Sequence, residues 1–251
     1  MTFGSRARNL AVATLLAAGV SLAATAAADT ADRELDEAAE LILSFTGNGP
    51  DSIPAELLAR ARGIAIVPGV FRGGFILGAR RGTGVLSVRM PDGSWSNPTF
   101  IKLTGGSIGW QIGAESTDIV LIFANENAIK SISTGKFTLG VEATAVAGPL
   151  RKQASSTLTF RAEVYGYVRS QGLYAGAAFQ GANLDVDQEL AATFYQGNPD
   201  ARPLAAQTAA TPESAQKFLV ALDAATVAVP QSQLPAAGGP AVEARTFPLP
   251  E

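Results

Sequence analysis

Along residues 32 to 45, Leu35, Ala38, Ala39, Ile42 and Phe45 recur at spacings of three and four, the signature of one face of an amphipathic helix. Asp32, Glu34, Asp36 and Glu37 crowd its first turns, where negative charge suits the helix dipole, and Thr46-Gly47-Asn48-Gly49-Pro50 stops it. A shorter helix is predicted from near Ser52, with Pro54 in its first turn, through Leu57, Leu58 and Ala61 to Arg62. Beyond Gly63 the pattern changes to short β-rich runs broken by glycine and turn pairs. These runs are Ile64 to Val67, Phe75 to Ala79, Val85 to Met90, Phe100 to Leu103, Ile119 to Phe123, Phe137 to Val146, Thr157 to Val168 and Tyr174 to Gln180. Their close spacing implies hairpins, with Pro91-Asp92-Gly93-Ser94 as the strongest turn. Short helices are predicted over Asn125 to Ser133 and Asp185 to Tyr195. The fold class is α+β: a mostly antiparallel sheet core with N-terminal helices and a short helix near the domain end.

The two ends of the chain read differently. Arg6 and Arg8, an apolar stretch from Leu10 to Ala24 and Ala26-Ala27-Ala28 before Asp29 have the pattern of an export signal over residues 1 to 28. The apolar stretch is short of the roughly 18 residues needed to span a bilayer, so the segment predicts cleavage and a protein in the periplasm or the medium. Eight of the 14 prolines fall after residue 197, so 198 to 251 reads as a Pro/Ala-rich tail with one helical island, Glu213 to Ala225. The domain is placed at 32 to 197.

Composition removes most chemistry. The 251 residues include no Cys and no His, which excludes disulfides, thiol nucleophiles, histidine-based triads and the usual zinc sites. Gly105-Gly106-Ser107-Ile108-Gly109 has the spacing of a nucleophile elbow without a histidine base, and a closely packed strand accounts for it equally. Gly73-Gly74-Phe75-Ile76-Leu77-Gly78 lacks the lysine and hydroxyl of a phosphate loop, and Asp185, Asp187 and Glu189 lack the glycine of a calcium loop. Glu115, Asp118, Glu126, Glu142 and Glu163 could pair for glycoside hydrolysis, but the sequence gives no separations between them, and scattered carboxylates are usually solvated. The expectation is no catalytic residue, no metal and no cofactor.

Charge adds one feature. Net charge is −3, and removing Arg6 and Arg8, the only charges before Asp29, takes it to −5, which argues against nucleic acid as a partner. Yet Arg60, Arg62, Arg72, Arg80, Arg81 and Arg89 lie in a run with no acid between Glu56 and Asp92. Arg72-Gly73-Gly74 and Arg80-Arg81-Gly82-Thr83-Gly84 are read as guanidinium groups beside glycine turns, an arrangement that suits solvated turns guarding a sheet edge and also an anion site.

Several separate motifs agree in order with one family. Asp92-Gly93-Ser94-Trp95-Ser96-Asn97-Pro98, Gly105-Gly106-Ser107-Ile108-Gly109-Trp110-Gln111-Ile112-Gly113 and Thr117-Asp118-Ile119-Val120-Leu121 resemble the SYLF domain, the lipid-binding module of yeast actin-patch regulators. Ala61-Arg62-Gly63-Ile64-Ala65-Ile66, Ala147-Gly148-Pro149, Gln171-Gly172-Leu173-Tyr174-Ala175-Gly176 and Phe194-Tyr195 extend the resemblance over about residues 35 to 197. It implies a compact α+β module whose eukaryotic members bind phosphoinositides and, in some cases, actin filaments. An exported chain would not meet cytosolic actin. The resemblance therefore implies a non-enzymatic envelope protein contacting anionic lipid at a membrane surface through Arg72, Arg80, Arg81 and Lys102, or else a structural module that holds an envelope protein partner.

Overall fold

The computed structural model of the protein describes residues 27–47, 49, 52–73, 77–108, 115–125, 129, 136–139, 145–148, 162–170, 173–174, 182–196, 198 and 201–227. The expected export signal up to residue 26, most of the helix expected over Asn125 to Ser133 and the tail after residue 227 lie outside them.

Among the described residues the helices that can be bounded are α1 (27–45), α2 (Ala55–Arg60), α3 (Gln188–Phe194) and α4 (Glu213–Thr226), and they flank one sheet. The strands are β1 (Gly63–Gly73), β2 (Leu77–Val88), β3 (Thr99–Ile108), β4 (Glu115–Phe123), β5 (Lys136–Thr138), β6 (Ala145–Ala147), β7 (Val164–Ser170), β8 (Leu173–Tyr174) and β9 (Asn183–Val186). Their order is β5-β9-β3-β2-β1-β4-β7-β6, with β8 beside β7, and every pairing is antiparallel except β6 with β7. The α+β class with a mostly antiparallel sheet is therefore the observed one.

Both faces of the sheet are dry, which is why its central strands read as unbroken apolar runs and not as alternations. Ile64, Ile66, Val85, Phe100, Val120, Ile122, Tyr165 and Tyr167 face the helices, where Leu35, Ile42 and Phe45 of α1, Leu57 of α2 and Phe218 and Leu222 of α4 cover them. Ala65, Val67, Leu86, Ile101, Leu103, Ile119 and Leu121 fill the opposite side with Phe137 and Leu184. Phe137, on the terminal strand β5, meets Phe123 of β4 edge to face at 6.0 Å between ring centroids. Strands far apart in the sheet order thus close over this inner core, so the sheet is curled.

The sheet departs from the expected strands in an informative way. The runs Phe75 to Ala79 and Val85 to Met90 join into the single strand β2, so Arg80-Arg81-Gly82-Thr83-Gly84 is extended chain and not a turn. The glycines are there for β1. That strand gains one residue between Val67 and Val70 relative to both neighbours, a β-bulge at Pro68-Gly69 with Gly69 at φ +56°. The bulge presses onto β2, where a Cβ at Gly84 would run into the Ile66 carbonyl oxygen and the Val67 Cα, and one at Gly82 into the side chains of Val67 and Val70. Asp185 is likewise in β9 and not in the following helix, which starts only after Asp187.

The C-terminal helix is not an appendage. α4 buries Ala215, Phe218, Leu219 and Leu222 in the same core as α1, so the folded unit runs past the boundary expected at 197 and through α4. Phe218, Leu219 and Leu222 share a face legible in sequence, but their partners are residues more than a hundred positions earlier.

Replacing Gly84 with alanine is expected to lower unfolding stability by about 2 kcal/mol or more, because the clash is with backbone that cannot swing away. Gly49→Ala, where nothing lies within 4 Å of the added methyl, is the matched control with an effect within about 0.5 kcal/mol. Urea titration of the two variants measures both.

Candidate functional site

The basic run comes apart once each side chain is located. Arg89 stacks over the Trp95 ring at 4.3 Å, donates to the carbonyls of Ala61 and Gly93, and is drawn toward Asp223, while burial pushes its pKa down. It fastens the turn to the domain. The turn itself is closed by Asp92, whose carboxylate accepts the backbone N–H and the hydroxyl of Ser94 at 2.9 and 2.7 Å, bonds that hold its pKa down.

Lys102 is also committed. Its ammonium lies 2.7 Å from Asp187, a buried carboxylate whose other oxygen accepts from Leu190 at the start of α3. Glu34 of α1 lies beside this pair, 6% exposed, hydrogen-bonded to Thr83 of β2, with its Oε2 lacking a hydrogen-bond partner. Burial first, and then the charges of Asp187 and Glu37, raise the Glu34 pKa, against the pull of Thr83 and Arg33. Lys102 is therefore the half-exposed partner of an ionic cluster whose carboxylates, Asp187 and Glu34, are buried.

The three arginines remain, and the register brings them together at one end of the sheet. Arg72 of β1 stands opposite Arg80 of β2, and one step along Phe71 stands opposite Arg81. The two pairs occupy successive positions of the pleat, at one end of the four-stranded stretch β3-β2-β1-β4. Arg81 is exposed, and so is Phe71 at 54%. The backbone groups of Arg80 to Gly84 lie in the β2–β3 ladder, Arg80 facing Gly105 and Thr83 facing Lys102, so no glycine nest forms there. Ser107 sits in β3 opposite Gly78, an extended position and not the strand-to-helix turn of a nucleophile elbow.

The apolar face of α1 is occupied. Ala31, Leu35, Ala38, Ile42 and Phe45 of α1 are fully buried against the sheet. Arg169 of β7 closes the helix end, donating to the Ser44 hydroxyl and carbonyl at 2.7 and 3.0 Å and lying over the Phe45 ring at 4.2 Å. Sequence inspection did not single out Arg169, since nothing local distinguishes it from a surface arginine. Among the described residues no group of carboxylates is placed to hold a metal ion, and no helix is long and apolar enough to cross a membrane.

Residues 104–225 match the family model described as Ysc84, Las17-binding protein actin regulator. The chain is 37% identical over 170 residues to the human SH3 domain-containing YSC84-like protein 1, an alignment covering 64% of this chain and 49% of that one. It is 37% identical over 177 residues to the Xenopus laevis protein of the same name, covering 67% and 52%. With LAS seventeen-binding protein 3 of Saccharomyces cerevisiae it shares 35% identity over 179 residues, 67% of this chain and 39% of the yeast protein. The chain thus spans about half or less of the length of these curated relatives.

The Glu34 cluster yields a signed pH dependence. A carboxyl whose folded pKa is raised favours folding fully below the ordinary glutamate range, and that contribution is lost as pH rises through the folded value. Glu34→Gln is expected to remove this decline, so that its stability relative to the wild-type chain grows from about pH 4 to pH 7. Urea midpoints across that range report it.

Proposed function

Because the chain belongs to the SYLF, or Ysc84-type, domain family, we propose that it is a non-enzymatic exported envelope protein whose domain binds anionic lipid at a membrane surface. The observation that carries this reading is the end of the β1–β2 pair, flanked there by β3 and β4. It holds Arg72, Arg80 and Arg81 in neighbouring register positions with Arg81 exposed, in a stretch that contains no acid between Glu56 and Asp92. Lys102 is left out of the contact, since its charge is already satisfied by Asp187. Export rests on the pattern of residues 1 to 28.

The charge balance around the ribbon sets the strength. Each cation near an anionic leaflet contributes on the order of 1 kcal/mol, so three give about two decades of affinity, and screening by salt weakens them together. The rest of the surface is mildly acidic, so binding would be oriented, with the ribbon toward the headgroups. The other reading is a module that holds a protein partner. It is favoured by the names of the yeast relative and of the family model, which refer to binding Las17, and by an open cleft between the 94–95 turn and α4 where Val220 is 69% exposed.

Co-sedimentation of the chain from residue 29 onward with phosphatidylglycerol-containing vesicles separates the two. The lipid reading expects binding that rises with anionic lipid, falls with salt, and drops about a hundredfold in the Arg72/Arg80/Arg81→Glu triple variant. Absence of binding at low salt would transfer the function to the protein-partner reading.

A further inference from the structure

Electrostatic contact alone leaves a protein on the headgroups, and the same ribbon carries an apolar side chain whose placement needs explaining. Phe71 is one of the few large apolar side chains exposed among the described residues. Its exposure is a product of the β1 bulge. Ala65 and Val67 point into the inner core, and uninterrupted alternation would send Phe71 the same way. The extra residue at Pro68-Gly69 makes Val70, and not Gly69, the next inner-core side chain, so Phe71 falls on the opposite side of the strand. The bulge is held there from β4: Asp118 accepts the Gly69 N–H at 3.0 Å, and the Thr117 hydroxyl donates to the Val70 carbonyl at 3.3 Å. Bulges characteristically re-aim a side chain, and here the side chain re-aimed is a phenylalanine, turned outward.

Its neighbours say what it would meet. Across the ladder Phe71 faces exposed Arg81 on β2 and exposed Ser116 on β4, and one step away Arg72 stands between Arg80 of β2 and Glu115 of β4. An aromatic ring beside an arginine and a hydroxyl suits the boundary between headgroups and acyl chains, where an apolar body enters and cations stay at the phosphates. We infer that Phe71 is the apolar anchor by which the β1–β2 ribbon inserts into an anionic bilayer, with Arg81 at the headgroup level beside it. This rests on the lipid reading above and adds the depth and residue of insertion. The anchor is a bulged strand, while the apolar stripe of α1 stays in the core.

The test uses the same chain from residue 29 onward on phosphatidylcholine vesicles with and without phosphatidylglycerol. Phe71→Ala is expected to weaken binding to the anionic vesicles roughly tenfold without changing its salt dependence or the Tm, since an exposed neutral ring is removed. Phe71→Leu is expected to retain most of the affinity. The chain has no cysteine, so Phe71→Cys and Val220→Cys each accept a single environment-sensitive dye. The dye at position 71 is expected to shift to the blue on vesicles and be quenched by nitroxides in the acyl chains, and the dye at position 220 to do neither. If the wild-type chain binds vesicles while Phe71→Ala binds equally and the dye at 71 stays in water, insertion is overturned and the lipid reading stands. If the wild-type chain ignores both vesicles, both fall together, and Phe71 becomes one side of a protein contact.

Discussion

The approach of β1 onto β2 at Gly82 and Gly84 is the constraint on which much of this structure depends. A bulge in a central strand must displace its extra residue toward something, and here Val67 and Val70 lean into space that two missing side chains leave open. Because that space exists, the bulge keeps β1 paired with both β2 and β4 on either side of the irregularity, and the strands run on past the core. The same extra residue changes the face of everything after it. Phe71 and Arg72 owe their positions on β1 to a packing relationship in the middle of the sheet, several residues away.

A second set of contacts makes the domain one unit from α1 to α4. Trp95 is buried and its indole N–H donates to the Thr226 hydroxyl at the end of α4, while its carbonyl accepts from Gln207. Asn97 exchanges backbone bonds with Leu204 and Ala205 and accepts from the Thr211 hydroxyl, and Pro98 accepts from the Tyr195 hydroxyl at 2.6 Å. Desolvation pushes the Tyr195 pKa well up, as suits a phenol that serves as a buried donor. The Asp92 to Pro98 motif is therefore architectural: it is the socket for the segment from 195 to 226. Buried polar groups of this kind have to find partners, and one short loop supplies them for a segment a hundred residues later.

Electrostatics follow the same division between structure and surface. Arg89, Arg169 and Lys102 each hold two parts of the domain together, and their charges are engaged by an aromatic ring, by carbonyl and hydroxyl oxygens or by a buried carboxylate. What is left exposed on the β1–β2 ribbon is small in charge, so the surface depends on how closely it approaches a target and on what accompanies the charge. A lone arginine cluster on an acidic protein is a weak ligand for a membrane, whereas arginine beside an outward-facing phenylalanine combines two additive contributions.

Reading the residues in order suffices for the class, for α1 with its stripe from Leu35 to Phe45, for the Asp92–Ser94 turn and for the apolar runs that become β1 and β4, because each is set by periodicity or turn chemistry within about ten residues. It also suffices for the family, whose motifs agree in order. It misleads at Arg80 to Gly84, where glycines that look like a turn are the flat side of a strand, since their role is fixed by a bulge in another strand. It misses Arg169 and the burial of α4, because their partners are distant in the chain. It groups Lys102 with the arginines of β1 and β2, since the carboxylate 85 positions later that pairs with it has no local signature. Local pattern decides which element forms; only the tertiary fold decides which face a residue takes after a bulge, and which charges remain available once the buried ones have been paired.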